Sequence, residues 1–266
     1  MPVRTNRVVA SAMRATLRDS IPSLIRRMDA VATGRATPSL ESMTIGSGRK
    51  VTAAVIFFDI CGFTQLTNSD DPETLKRTLL LLNCVIPAMM RVLYRYGAYV
   101  EKNTGDGLMA VLGVETNDTV TASHALEIAE EMFFVLHGIV NPELVKLGLQ
   151  PVRARIGIDM GQILISRIGV PNGTSAHERN SLTAVGPAAN RASKIQGMAG
   201  VNEVWVGDSI GRSAPKEKLA LFDCVTPAVW NWTYGNNPQN RYHCWRYNGR
   251  VDPLATLLGG PTQLIQ

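Results

Sequence analysis

Cysteine is scarce in this chain, and no two cysteines are close. Cys61, Cys84, Cys224 and Cys244 are the full complement of 4 in 266 residues, and none forms a CxxC pair. That spacing excludes a zinc finger and, at this length, argues against a disulfide framework. Four reduced thiols in a cytoplasmic protein are the expectation. Long apolar runs are missing too. No stretch approaches the roughly 18 uninterrupted apolar residues that cross a bilayer, so no membrane span is expected. Internal repeats and low-complexity segments are absent. What remains is ordinary globular composition, 45% hydrophobic and 18% charged, enough to bury a sizeable core. The length suits one catalytic domain with an extension. A formal charge of +5 attracts polyanions, nucleoside triphosphates and nucleic acid alike. A nucleic-acid reader needs basic and aromatic residues clustered on one face. Here the arginines gather at the N-terminus instead, so no stable nucleic-acid partner is expected.

That N-terminal segment carries Arg4, Arg7, Arg14, Arg18, Arg26 and Arg27, with Val9, Met13, Leu17, Ile21 and Leu24 recurring at helical spacing. It reads as a basic amphipathic helix. Arg14 and Arg18 break the apolar run that a signal peptide would need. Residues 31–50, rich in Gly, Ser, Thr and Ala, read as a linker. The organisation expected is therefore an extension and linker over 1–50, a catalytic domain over 51–210, and a C-terminal completion over 211–266.

Within the body, Val51–Phe58 reads as a buried strand. Pro72 opens a helical pattern through Leu75, Leu79, Leu82, Ile86, Met90 and Leu93, and Pro87 predicts a kink or a join. Ala98–Lys102 and Leu108–Gly113 flank an Asn/Gly/Asp turn and read as a hairpin. A helix follows over 118–140. Two strands are predicted at Val152–Asp159 and Gln162–Ile168, separated by Met160-Gly161. A helix from Gly186-Pro187 to about Met198, a strand at Glu203–Val206 and a last strand at Tyr242–Tyr247 complete the order. β-α-β-β-α-β is the ferredoxin-like plan of an α+β fold.

Two carboxylates stand out. Asp59 ends the first buried strand, next to the Ile60 carbonyl and ahead of a turn through Gly62. Asp106 sits in the hairpin turn Thr104-Gly105-Asp106-Gly107. In a β-α-β-β plan the first strand neighbours the hairpin, so both carboxylates reach one sheet end. Oxygen donors so placed suit hard divalent cations, and two cations between two carboxylates suit phosphoryl transfer. A lone aspartate at either place would read as a strand cap or turn former.

Four segments, FFDICGFT, EKNTGDGLMAVLG, ARIGIDMGQILISRIG and VGPAANRASKI, resemble in order and spacing the successive motifs of class III nucleotidyl cyclase catalytic domains. The resemblance covers about residues 50–210. It implies closure of a nucleoside triphosphate to a 3′,5′-cyclic monophosphate with release of pyrophosphate. It also implies two Mn²⁺ or Mg²⁺ ions per site. Asp59 and Asp106 match the family's metal aspartates, and the Ile60 carbonyl matches its backbone ligand. Lys102 matches the base-reading residue, and Thr183, three before Gly186, matches its partner. Asn190 matches the residue that orients the ribose and transition state. Lys194 stands where the family usually has Arg, supplying charge without a bidentate fork. Arg191 lies on another face of that helix and is a lesser candidate for the missing Arg. Lys216 and Lys218 are the nearest candidates for the family's C-terminal phosphate-binding lysine, with solvated surface the better reading for both. Arg153 and Arg155 read as salt-bridge or dimer residues. The resemblance further implies a head-to-tail homodimer with sites at the interface, and an inactive monomer.

For the base, a Lys102–Thr183 pair disfavours GTP, because the Glu–Cys-like pair of guanylate cyclases is absent. Phe57 shares its strand face with Asp59 and reads either as part of the base pocket, where its ring favours a pyrimidine, or as ordinary core filling. The run IPSLIRRMDAVATG leading to FFDICGFT is similar to the stand-alone bacterial cyclases of the Pycsar antiphage system, which make cUMP or cCMP. UTP is thus expected ahead of CTP, with an adenylate cyclase as the alternative. A catalytically inactive, cyclase-like regulatory module is the alternative of another class. A dinucleotide-cyclase palm would show a Gly-Gly-Asp/Glu-Asp/Glu-Phe turn, which is absent.

Overall fold

The computed structural model describes residues 43–103, 105–169 and 180–249, together with residues 22, 26, 32 and 33. Apart from Pro22 and Arg26, the arginine-rich N-terminal pattern lies outside the described residues, as do Thr104 and the last residues of the tail. The chain divides into two compact units, Met1–Val51 with Leu164–Thr183, and Thr52–Ile163 with Ala184–Gln266.

In the smaller unit, β1 (Ala32–Thr33) pairs in parallel with residues 49–50 of β2 (Gly48–Ile60). The Gly46 amide donates to the Arg167 carbonyl at 2.9 Å and Ser166 Oγ to the Ser47 carbonyl at 2.8 Å.

The larger unit holds the ferredoxin-like arrangement. β2 leads through the helix Pro72–Arg95 to β3 (Tyr99–Asn103) and β4 (Gly107–Leu112). The helix Asp118–Val135 then runs by a π turn, Leu136–Val140, into the short helix Asn141–Lys146. β5 (Ala154–Gly169) follows, and its end leads to β6 (Asn180–Val185), which pairs with it. The helix Pro187–Met198 leads to β7 (Val204–Gly207). Beyond the helix Asp208–Ser213 come β8 (Phe222–Cys224) and β9 (Cys244–Tyr247). The sheet order is β3-β4-β2-β5-β7-β9-β8. Its first four members are the ferredoxin-like order expected from the sequence, and β7, β9 and β8 extend it.

Alternation sorts the side chains of the strands into two faces. Ile56, Phe58 and Ile60 of β2, Leu108 and Ala110 of β4, and Ile156, Ile158 and Met160 of β5 share one core. The helices Pro72–Arg95 and Asp118–Val135 cover them with Val85, Met89, Val92, Ala125, Ala129 and Met132. Apolar burial of this kind contributes about 25 cal/mol per Å² and holds the layers together.

Three expectations need correction. Pro87 does not join two helices, because the Pro72–Arg95 helix is continuous through it. Its buried stripe is Leu81, Val85, Met89 and Val92, with Ile86 and Leu93, whereas Leu75 and Leu79 are exposed. Four successive leucines (Leu79–Leu82) carry no phase, and the β-sheet chooses which ones it covers. By length and composition this helix could cross a membrane, but its buried stripe belongs to the core. Finally, β5 is one strand, because Met160-Gly161 stays extended instead of turning.

Candidate active site

Asp59 and Asp106 meet where β2 and β4 end. The two strands are antiparallel with Asp59 opposite Gly107, and the Ile60 amide donates to the Asp106 carbonyl at 3.1 Å. The turn is closed by Gly105 at φ 98°, a left-handed conformation that favours glycine. On the other side, the Cys61 amide donates to the Arg153 carbonyl at 2.8 Å, which ties the end of β2 to the start of β5. Asp59 and Phe57 are half-buried, while Phe58 and Ile60 between and beyond them are in the core. Phe57 therefore shares the face of Asp59, as expected. Register places Phe57 opposite Met109 and Met109 opposite Lys102, so these three residues form one row across β2, β4 and β3.

Arg155, which the sequence suggested for a salt bridge or a dimer contact, makes the salt bridge. Its Nε and Nη2 both donate to Asp59 Oδ2 at 3.0 Å. Its Nη1 also donates to the carbonyl of Gly197, at the end of the Pro187–Met198 helix, at 3.3 Å. Burial raises the Asp106 carboxyl above its ordinary range, with the Asp59 charge adding to the rise and Arg155 opposing it. A partly buried carboxyl raised in this way is one that a divalent cation would relieve. Among the described residues no group of three His, Cys, Asp or Glu converges. Asp59 and Asp106 at one sheet end supply the oxygen chemistry that a hard cation takes.

The second half of the candidate site is the Pro187–Met198 helix. Ala188, Ala189, Ala192 and Ile195 are buried, whereas Asn190 and Lys194 are exposed on a common face. Thr183 is half-buried on β6, in the smaller unit.

Arg191 is not available as a substitute for the family arginine. Its Nε donates to Asp159 Oδ2 at 2.5 Å, and its guanidinium lies 4.3 Å from the Tyr242 ring and 5.5 Å from the Trp232 ring. Asp159 is fully buried. Lys218 is likewise committed, and the expectation of solvated surface is wrong for it. It is buried, with Nζ 2.7 Å from Glu130 Oε1 and 3.0 Å from the Tyr247 hydroxyl. Nothing local to Lys218 announces this, because its partner is 88 residues away. Sequence reading missed Asp159 and Tyr242 altogether. The available signal was an aspartate between Gly157 and Gly161 at strand spacing, flanked by Ile158 and Met160.

The adenylate and guanylate cyclase catalytic domain family matches residues 45–224, well over half of the chain. An adenylate cyclase of Anabaena cylindrica is 24% identical over 163 residues, 61% of this chain and 30% of that protein. A cytidylate cyclase of Escherichia coli is 28% identical over 174 residues, 62% of this chain and 35% of that protein. A uridylate cyclase of Burkholderia cepacia is 26% identical over 189 residues, 68% of this chain and 77% of that protein. The chain thus spans about a third of the length of the first two. Among solved structures, the guanylyl cyclase Cya2 superposes with a TM-score of 0.62 at 21% identity, covering 77% of this chain and 95% of that one. With the fold, the paired carboxylates and this match together, the chain belongs to the family of adenylate and guanylate cyclase catalytic domains, the class III nucleotidyl cyclases.

Proposed function

We propose that this protein is a pyrimidine nucleotidyl cyclase of the cytoplasm, converting UTP, and after it CTP, to the 3′,5′-cyclic monophosphate and pyrophosphate as a second messenger in antiphage defence. The observation that carries the cyclase reading is the junction of Asp59 and Asp106 at one sheet end, with Arg155 fixed beside them. In the reaction the ribose 3′-oxygen bonds to the α-phosphorus and the bond to the bridging oxygen of the pyrophosphate breaks. Divalent ions held by Asp59, Asp106 and the Ile60 carbonyl would acidify the 3′-hydroxyl and neutralise the leaving pyrophosphate. Arg155 donates twice to Asp59 and places a guanidinium beside the carboxylates. Its fork suits phosphate oxygens. Asn190 and Lys194 present an amide and an ammonium from one exposed helix face, the chemistry needed to orient a ribose and stabilise charge on a transferring phosphoryl group.

A head-to-tail homodimer is part of the proposal, with the carboxylates of one protomer facing Asn190 and Lys194 of its partner. Three features support the pyrimidine. Phe57 and Lys102 lie in one cross-strand row, a Lys102–Thr183 pair lacks the acidic group that reads guanine, and two of the relatives are named cytidylate and uridylate cyclases. An adenylate cyclase is the second reading, favoured by the relative of that name. The test is direct. The protein is incubated with Mn²⁺ and ATP, GTP, CTP or UTP separately, and the products are identified by mass. A cUMP or cCMP peak is expected. A cAMP peak would transfer the assignment to adenine, and no product from a folded protein would make it an inactive cyclase-like module.

A further inference from the structure

One face of β5 reads Arg155, Gly157, Asp159 and Gly161, every second residue, and each addresses the Pro187–Met198 helix. Arg155 donates to the Gly197 carbonyl at 3.3 Å. Gly157 lies against Gln196 so closely that a Cβ would overlap its backbone. A Cβ at Gly161 would sit 3.6 Å from Ala188 Cβ and from Arg191 Nη2. Asp159, between the two glycines, receives Arg191 Nε and the Tyr242 hydroxyl, each at 2.5 Å. The Tyr242 oxygen accepts from the Ser209 amide at 3.0 Å and lies 2.9 Å from Ser209 Oγ. The Tyr242 and Trp232 rings cover the guanidinium, and the Arg191 side chain is left 13% exposed.

A buried ion pair adds little net stability compared with apolar packing of the same volume. Its distinctive property is direction. Gly157 against Gln196 sets how closely the helix lies on β5, and the small alanines at 188, 189 and 192 do little to set its rotation. The arginine–carboxylate–hydroxyl contacts do set it. Asn190 immediately precedes Arg191, and one residue of slip turns a helix by about 100°, enough to carry Asn190 and Lys194 out of their common aim.

We propose that Asp159, Arg191 and Tyr242 are positioning residues for catalysis, fixing the rotation of the Pro187–Met198 helix so that Asn190 and Lys194 point at the reacting triphosphate. The C-terminal segment that carries Trp232 and Tyr242 is then part of the catalytic apparatus. This rests on the cyclase reading above.

The test is Tyr242→Phe, which keeps the ring over Arg191 and removes one hydroxyl, with Asp159→Asn as the second variant. Both are compared with wild type by kcat and KM for the preferred triphosphate and by amide exchange over 188–198. A displaced helix should cost roughly ten- to a hundredfold in kcat, with KM and the Mn²⁺ requirement little changed and exchange in the helix faster. The pH profile adds a readout that a purely structural role would not move. Burial pushes the Asp159 carboxyl up to about 6, against Arg191 and the Tyr242 hydroxyl. The titratable groups around it are Arg191 on the helix, with Tyr242, Tyr234 and Cys244 from the C-terminal segment. Removing the hydroxyl should therefore move the acid limb of kcat to higher pH. Stability should not follow that limb. A carboxyl raised on folding contributes stability that grows as pH falls through about 6 toward its ordinary value. Tyr242→Phe with wild-type kcat, pH profile and exchange overturns the inference while wild-type product formation keeps the cyclase reading. A folded wild type that makes no cyclic nucleotide overturns both. A lowered Tm in both variants with unchanged kcat per folded molecule reduces the cluster to a structural one and also overturns it.

Discussion

Two buried clusters in the larger unit have the same composition, a basic side chain, a carboxylate and a tyrosine, yet they sit in different surroundings. In one, Lys218 and Tyr247 meet on Glu130. In the other, Arg191 and Tyr242 meet on Asp159. Each ties the C-terminal part of the chain to an element far back in sequence, 88 and 83 residues away respectively. The Glu130 cluster anchors the Asp118–Val135 helix, which carries no candidate site residue. The Asp159 cluster grips the helix that carries Asn190 and Lys194. Equal chemistry at two addresses separates what a buried ionic group does for the fold from what it does for the reaction.

The largest expected effect sets the scale for loss of chemistry alone. Asp59→Ala or Asp106→Ala should abolish turnover, because each removes a ligand, while both positions are half-buried at the sheet end and outside the apolar core. Circular dichroism and size-exclusion profiles should match wild type. Retained cyclase activity in either variant would refute the two-carboxylate assignment. At the opposite corner, Lys218→Met should remove stability alone. It leaves Glu130 buried with Tyr247 as its only named donor among these residues, and breaking a buried pair from one side costs about 3–5 kcal/mol. Denaturant unfolding should register that loss with kcat per folded molecule unchanged. The double variant Glu130→Leu with Lys218→Met should recover much of it, since no charge is then stranded. A fall in kcat beyond the fraction unfolded would erase the distinction between the clusters.

Lys102→Ala probes recognition in place of fold or metal chemistry. The cross-strand row of Lys102, Met109 and Phe57 predicts a changed ranking among the four triphosphates with the Mn²⁺ requirement intact. An unaltered ranking would remove Lys102 from the base pocket.

The carboxylate corner was legible because its signals are local. An aspartate at the end of a buried strand and another in a Gly-Asp-Gly turn declare themselves within a few residues, and the βαββαβ order brings them together. The Pro187–Met198 helix was legible for the same reason, from Gly186-Pro187 at its start and the four-residue spacing of Asn190 and Lys194. The buried stripe of the Pro72–Arg95 helix was not, because Leu79–Leu82 satisfies every phase and only Val85, Met89 and Val92 disclose the one the sheet selected. Lys218 sits in a Lys-Glu-Lys run that locally resembles solvated surface, and its burial depends on Glu130. Tyr242 lies in an aromatic tail with no periodicity, and its role depends on Asp159. Long-range polar pairs leave no spacing to read, because each partner lies more than eighty residues along the chain.

The smallest expected effect tests whether that positioning is finished or approximate. Lys194→Arg restores the side chain usual in the family. Position 194 is exposed on the helix, Lys and Arg have nearly equal helix propensity, and a surface exchange stays within about 0.5 kcal/mol. Tm should therefore hold. An ammonium offers a point charge, whereas a guanidinium offers a planar fork to two phosphoryl oxygens, so kcat should rise by no more than a few-fold, roughly the value of one improved charge-assisted contact at an exposed position. That gain should depend on Arg191 remaining locked. In a Tyr242→Phe background the fork would hang from a helix free to rotate, and the improvement should vanish. Single-turnover rates for the four proteins of this cycle measure the coupling. Equal gains in both backgrounds would show that Lys194 acts independently of the cluster that grips its helix.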